Sequence, residues 1–230
     1  MTRIVKAPDE RRSELIAGAR KLFYTRGFEK TAVSDIVAEV GVAKGTFYYY
    51  FDSKQTVLEA MVDEMVTEAL GLLNQVTADE TLGAAQKWTV AFEVLNRWKA
   101  DQKADLLAVA RVLLRPANVR LLHKIRSVAA PQITAELAKI VRQGVSEGVF
   151  SPDFIEEAAE ICFAIMEVVS NGLREMLLQP ERYRDPLPLA HRKVAAAQRA
   201  IELVLSASPG SLPIISTGTL EVWFKNRFEN

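Results

Sequence analysis

An all-α fold is what this 230-residue sequence predicts, with a small three-helix unit at the N-terminus and a larger helical body behind it. Three observations carry that expectation. Apolar residues recur at spacings of three and four, not two, along almost the whole chain. Gly and Pro punctuate the periodic segments. Hydrophobic residues make up 49% and charged residues 25%, the balance of an ordinary globular domain with enough apolar surface to build a core.

The elements follow in order. Residues 9–26 form the first helix, capped by Asp9, with Leu15, Ile16, Ala19, Leu22 and Phe23 on one face and Gly27 as its stop. Thr31 offers an N-cap for a short helix over 32–40, which Gly41 ends. A third short helix covers 43–50. Ser53 then caps a longer one over 54–74, with Val57, Met61, Met65 and Ala69 along one side. Longer helices are predicted over 81–99, 104–114, 118–130, 134–147, 153–178 and 189–206. Pro116, Pro131, Pro152 and the stretch from Pro180 to Pro188 separate them. Ser151 and Pro152 read as an N-cap followed by a first helical position. From Ser208 onward the chain turns irregular and moderately apolar: the tail is either docked on the body or the partner through Ile214, Ile215, Trp223 and Phe224, or disordered.

Charge excludes a uniformly basic nucleic-acid binder. Lys and Arg total 29, Asp and Glu also 29, so any such site is a local patch. Residues 1–54 hold ten Lys/Arg against seven Asp/Glu, the sign expected of an N-terminal nucleic-acid module. One cysteine, Cys162, allows no internal disulfide and suits the cytoplasm. The N-terminal residues carry no apolar leader, and no run of 18 uncharged apolar residues exists to span a membrane. Two histidines, His123 and His191, without a nucleophile elbow, phosphate loop or metal-ligand spacing, argue against an enzyme. No catalytic residue, metal ligand or cofactor is assigned.

The most informative stretch is TAVSDIVAEVGVAKGTFYYYFDSK, residues 31–54. A short amphipathic helix stops at Gly41, the chain turns past Val42, and a second short helix begins: the spacing of a helix-turn-helix. Val33, Ile36, Val37 and Val40 face inward. Phe47 and Phe51, four apart, anchor the second helix. Lys44, Tyr48 and Tyr49 are left on other faces, where hydroxyls reach phosphate oxygens and rings reach thymine methyls.

These residues resemble the TetR family of bacterial transcription regulators. The resemblance rests on Ala19, Leu22, Phe23 and the run Gly27 to Ala32; on Ile36 through Val42, with valine at 37; and on Lys44 through Lys54. It covers residues 9–54, about a quarter of the chain. It implies that Thr31 and Lys54 bind phosphates and that Lys44, Gly45, Tyr48, Tyr49 and Tyr50 lie in or beside the major groove. Two departures stand out. Ala43 replaces a small hydroxyl residue that caps the recognition helix, a loss of about 0.5–2 kcal/mol locally. Tyr50 stands where histidine is common, so base preference there does not carry over.

The resemblance also implies a domain plan: a helix-turn-helix domain over 1–54, a helical effector-binding and dimerisation domain over 55–207, and a tail over 208–230. Its partners are an operator in double-stranded DNA, a second copy of the chain, and a small apolar or amphipathic effector. Candidate effector residues are Trp88, Phe92, Leu95, Trp98, Phe163, Met166 and Asn171, with Arg111, His123 and Arg174 as further polar choices. Candidate dimer residues form stripes on the last two long helices: Ile155, Ala159, Cys162, Met166, Val169 and Leu173 on one, Val194, Ala197 and Ile201 on the other. The expected function is a repressor released from a palindromic operator by the effector. An activator, or a regulator without a small ligand, is the alternative.

Overall fold

The computed structural model describes residues 8–225. Ten α-helices are present there: α1 (Pro8–Thr25), α2 (Val33–Val40), α3 (Lys44–Tyr50), α4 (Lys54–Ala78), α5 (Ala84–Asp101), α6 (Lys103–Leu113), α7 (Val119–Ser146), α8 (Ile155–Leu178), α9 (Pro186–Val204) and α10 (Thr217–Lys225). No strand occurs among the described residues. Nor is any of these helices long and apolar enough to cross a membrane.

The chain divides into two compact units. The first comprises residues up to Thr67 together with Ala104–Ile125; the second comprises Glu68–Lys103 and the rest of the chain from Arg126. Helices α4 and α7 each run from one unit into the other.

In the first unit α1 carries Leu15, Ile16, Ala19, Leu22 and Phe23, all buried, as its periodicity predicts. Ile36, Phe47, Phe51, Val57, Leu58 and Met61 of the same unit are buried as well. Gly18 lets α1 approach α2, since a Cβ there would stand 2.6 Å from Val40 Cγ2. Ser53 caps α4 as expected, and reciprocally: the Thr56 amide donates to Ser53 Oγ at 3.2 Å, and the Ser53 amide to Thr56 Oγ1 at 3.1 Å.

The second unit is built on Trp88, Ile140, Val141, Met176, Ile201, Leu205 and Leu212, each almost wholly removed from solvent. Side chains distant in sequence close its helix ends. Lys87 donates from Nζ to the Thr77 carbonyl at 2.7 Å in the last turn of α4. The Glu147 carboxylate accepts the Ala84 amide at 2.9 Å and fixes the start of α5 there, not at residue 81. Thr81 is instead held in a turn by Asp79, whose Oδ1 accepts its amide at 2.9 Å.

Three expectations are corrected. Pro131 does not divide 118–130 from 134–147; both lie in the single helix α7. Its ring sits on the exposed face and removes one donor, a cost of about 3 kcal/mol. The next turns bury Leu137, Ala138, Ile140 and Val141, which outweighs it. Ser151 and Pro152 do not open α8. The Ser151 amide donates to the Leu205 carbonyl at 2.9 Å, and Phe154 is the N-cap residue. The tail is not irregular throughout. It forms α10 and docks through Leu212, Ile214, Leu220 and Phe224, all buried. The Glu202 carboxylate, 2% exposed, accepts the Gly210 amide at 2.8 Å and holds the turn into it.

Candidate nucleic-acid interface

The α2–turn–α3 geometry follows from one backbone position. Gly41 adopts φ 72°, the left-handed region that a side chain would strain. The amides of Gly41 and Val42 turn back to the carbonyls of Ala38 and Val37, at 3.3 and 3.0 Å, and the chain leaves α2 steeply. Val42 is half-buried in that turn. Helix α3 is then pinned by Phe47, fully buried, and Phe51, 4% exposed, with ring centroids 5.9 Å apart.

That anchoring turns the other side of α3 outward. Tyr49 is 78% exposed and Tyr48 49%. Lys44 is exposed, its ammonium 5.8 Å from the Tyr48 ring centroid. A Cβ on Gly45 would meet nothing within 4 Å, so the backbone there is open to close approach. Tyr50 is half-buried, edge-on to Tyr49 at 4.8 Å. Burying an apolar pair while exposing two hydroxyl-bearing rings and a cation leaves a surface able to contact both phosphates and base edges.

Two predicted phosphate ligands have other occupations. Thr31 is 1% exposed and donates from its hydroxyl to the Gly27 carbonyl at 2.9 Å. It neither caps α2 nor reaches solvent; Ala32 is the N-cap residue, and the Asp35 carboxylate accepts the Ala32 amide at 2.7 Å. Lys54 spends its ammonium on three backbone oxygens: Phe28 at 2.8 Å, Thr31 at 3.0 Å and Glu29 at 3.3 Å. It also lies 4.5 Å from the Phe28 ring centroid. Its donors are saturated within the chain. Both residues brace the segment between α1 and α2. Ala43, the N-cap of α3, provides no side-chain cap, as its methyl requires.

The family model for bacterial regulatory proteins of the tetR family matches residues 15–61, the span that builds this exposed face and its core. Over this span the chain is similar to the TetR family. Over 61 residues it is 34% identical to the HTH-type transcriptional regulator EthR of Mycolicibacterium smegmatis, covering 26% of this chain and 28% of that one. It is 25% identical over 146 residues to the HTH-type transcriptional repressor KstR2 of the same organism, covering 64% and 70%. The first curated relatives it matches are thus spanned over about a third of their length or less. In fold it is similar to Salmonella enterica GusR, with a TM-score of 0.63 at 18% identity over 89% of this chain and 100% of that one.

The remaining candidates lie in the second unit. Trp88 is a core residue, 0% exposed, packed on Phe92 at 5.1 Å. Phe92, Leu95, Trp98, Phe163, Met166 and Asn171 are half-buried. Asn171 is the one predicted effector residue held in a polar network, with Arg126 and Arg174. Of the predicted dimer stripe, Ala159, Cys162, Val169, Leu173, Val194, Ala197 and Ile201 are at most 9% exposed within a single chain, while Ile155 and Met166 are half-buried. That stripe packs α8 against α9. The outward sides of these helices carry Ile161, Val168 and Leu203 instead, 48%, 69% and 62% exposed. Periodicity identifies an apolar face but not which neighbour it meets. Among the described residues no group of three metal-ligating side chains gathers.

Proposed function

We propose that this protein is a sequence-specific DNA-binding transcriptional regulator of the cytoplasm, a homodimeric repressor released from a palindromic operator by a small-molecule effector. The exposed face of α3 carries the reading: Lys44, Gly45, Tyr48 and Tyr49 presented on a helix locked by Phe47 and Phe51. Thr31 and Lys54 leave the contact set and support it from within. The repressor sense is favoured by the likeness to KstR2, which is described as a repressor.

One reading head makes too few base contacts for a specific site, so a two-fold dimer doubles them. The exposed apolar residues Ile161 and Val168 of α8 and Leu203 of α9 supply its face. Helix α4 runs unbroken from the first unit into the second and is the lever by which an effector acts. Linkage requires the effector and DNA to weaken each other equally. Reversing a 99:1 population takes about 5.5 kcal/mol of differential affinity.

The test is selection of bound duplexes from random DNA with the wild type, Tyr49→Ala and Lys44→Ala. A palindromic site is expected, relaxed by Tyr49→Ala. The Lys44→Ala salt slope should flatten by about one per protomer if that ammonium meets a phosphate. Salt-sensitive binding without sequence preference, unchanged in both variants, overturns the reading.

A further inference from the structure

On the regulator reading above, on which this inference rests, the head must hold the DNA backbone as well as read its bases. A protein–DNA interface places about half to two-thirds of its hydrogen bonds on phosphate and sugar oxygens. In this head Thr31 is buried, and the Lys54 ammonium donates to three backbone oxygens. Helix α3 itself brings a single cation, Lys44. Further anchors for the backbone must come from an element that borders α3.

Several cations of the first unit are neutralised by carboxylates. Arg11 pairs with Glu14 at 2.7 Å, Arg20 with Glu64 at 3.1 Å, Lys21 with Glu39 at 2.6 Å, and Arg115 with Glu29. Arg12 of α1 differs. Its guanidinium lies over the Phe51 ring, 5.3 Å from the centroid, and its side chain forms no ion pair among the described residues. Arg12 is exposed, whereas the Phe51 beneath it is 4% exposed. Phe51 directly follows α3, its ring 5.9 Å from that of Phe47, which in turn stands 5.5 Å from the Tyr48 ring. Helix α1 thus delivers a cation to the end of α3, onto the aromatic cluster that turns Tyr48 and Tyr49 outward. Lys44 opens α3 and Phe51 follows it, about 10 Å further along the axis, so the two charges bracket the helix.

Attraction to a ring face engages the charge of a guanidinium and uses none of its five N–H donors. Stacking also restricts a flexible side chain before any partner arrives, which lowers the ordering cost of binding. A pre-placed, permanently charged fork with free donors matches the oxygens of a phosphodiester. We propose that Arg12 is a phosphate anchor of the reading head, holding the DNA backbone from α1 beside the groove that α3 reads.

The test uses the full chain with Arg12→Gln and Arg12→Lys, titrated by fluorescence anisotropy against two labelled duplexes: a pool of random sequence, and the sequence enriched by the wild type. Arg12→Gln should weaken binding to both by the same factor and enrich the same sequence, because a phosphate contact carries no sequence information. Its salt slope should flatten by about 0.9 per protomer, so that its deficit narrows about 3.5-fold per protomer between about 50 and 200 mM salt. Arg12→Lys keeps the charge and should keep the wild-type slope. Wild-type affinity of Arg12→Gln for both duplexes overturns the proposal. So does a lowered melting temperature in Arg12→Gln with the wild-type salt slope, the mark of a purely structural residue. A different enriched sequence overturns it too, since Arg12 would then touch a base edge. The two readings fail separately. A wild type that binds the pool but enriches no sequence removes the specific regulator, and the salt slope on the pool still decides the anchor. An enriched sequence with an unchanged Arg12→Gln slope removes only the anchor. No duplex binding by the wild type overturns both.

Discussion

Lys54 ends its four-carbon stem on the carbonyl oxygens of Phe28, Glu29 and Thr31. A charged donor given to partly buried acceptors is worth about 1.5–3 kcal/mol. Lys54→Met is therefore expected to lower stability by about that amount in urea titration, with DNA affinity per folded molecule unchanged. Unaltered stability with weakened DNA binding would return the residue to phosphate contact. Cys162 is equally specific. It is wholly buried, and burial pushes its thiol up to about 12. In the unfolded chain a thiol ionises near pH 8.5. The fold holds the proton, so this contribution is fully present below about pH 8.5 and is lost as pH rises toward 12. Near pH 9.5 the wild type should lose about 1.4 kcal/mol more than Cys162→Ala, relative to pH 7.5, and thiol reagents should fail to label the folded protein. Equal pH dependence of the two proteins would contradict this.

At the scale of elements, α10 and the turn before it show how a weakly patterned segment becomes structural. Leu212, Ile214, Leu220 and Phe224 are each at most 5% exposed, and the Glu202 carboxylate accepts the Gly210 and Leu212 amides. Truncation after Ala207 removes those side chains at about 1.5–3 kcal/mol each and strands a buried carboxylate. A large fall in the melting temperature is expected, and an unchanged value would mean that the tail does not dock in solution. The continuity of α7 through Pro131 makes a related point. One missing donor costs less than the apolar face that continuing the helix buries.

For the whole molecule, the proposed dimer rests on the outward sides of α8 and α9. Val168→Lys and Leu203→Lys place charge on faces 69% and 62% exposed, so the folded chain should tolerate each within about 0.5 kcal/mol. Sedimentation should then show monomers where the wild type is dimeric, and operator affinity should fall with dimerisation. A dimer that survives both substitutions would place the interface elsewhere.

How much was legible in advance follows from which interactions are local. The helical class, the turn at Gly41, the Ser53 cap and the outward Lys44, Tyr48 and Tyr49 depend on spacings within a few residues, so the sequence alone determined them. The internal hydrogen bonds of Thr31 and Lys54 were not legible in the motif, because their partners are backbone carbonyls, and those that hold Lys54 stand 23 to 26 residues away. The buried stripe of α8 and α9 was visible as apolar, yet only packing decided that it faces the chain's own core and leaves Ile161, Val168 and Leu203 outside.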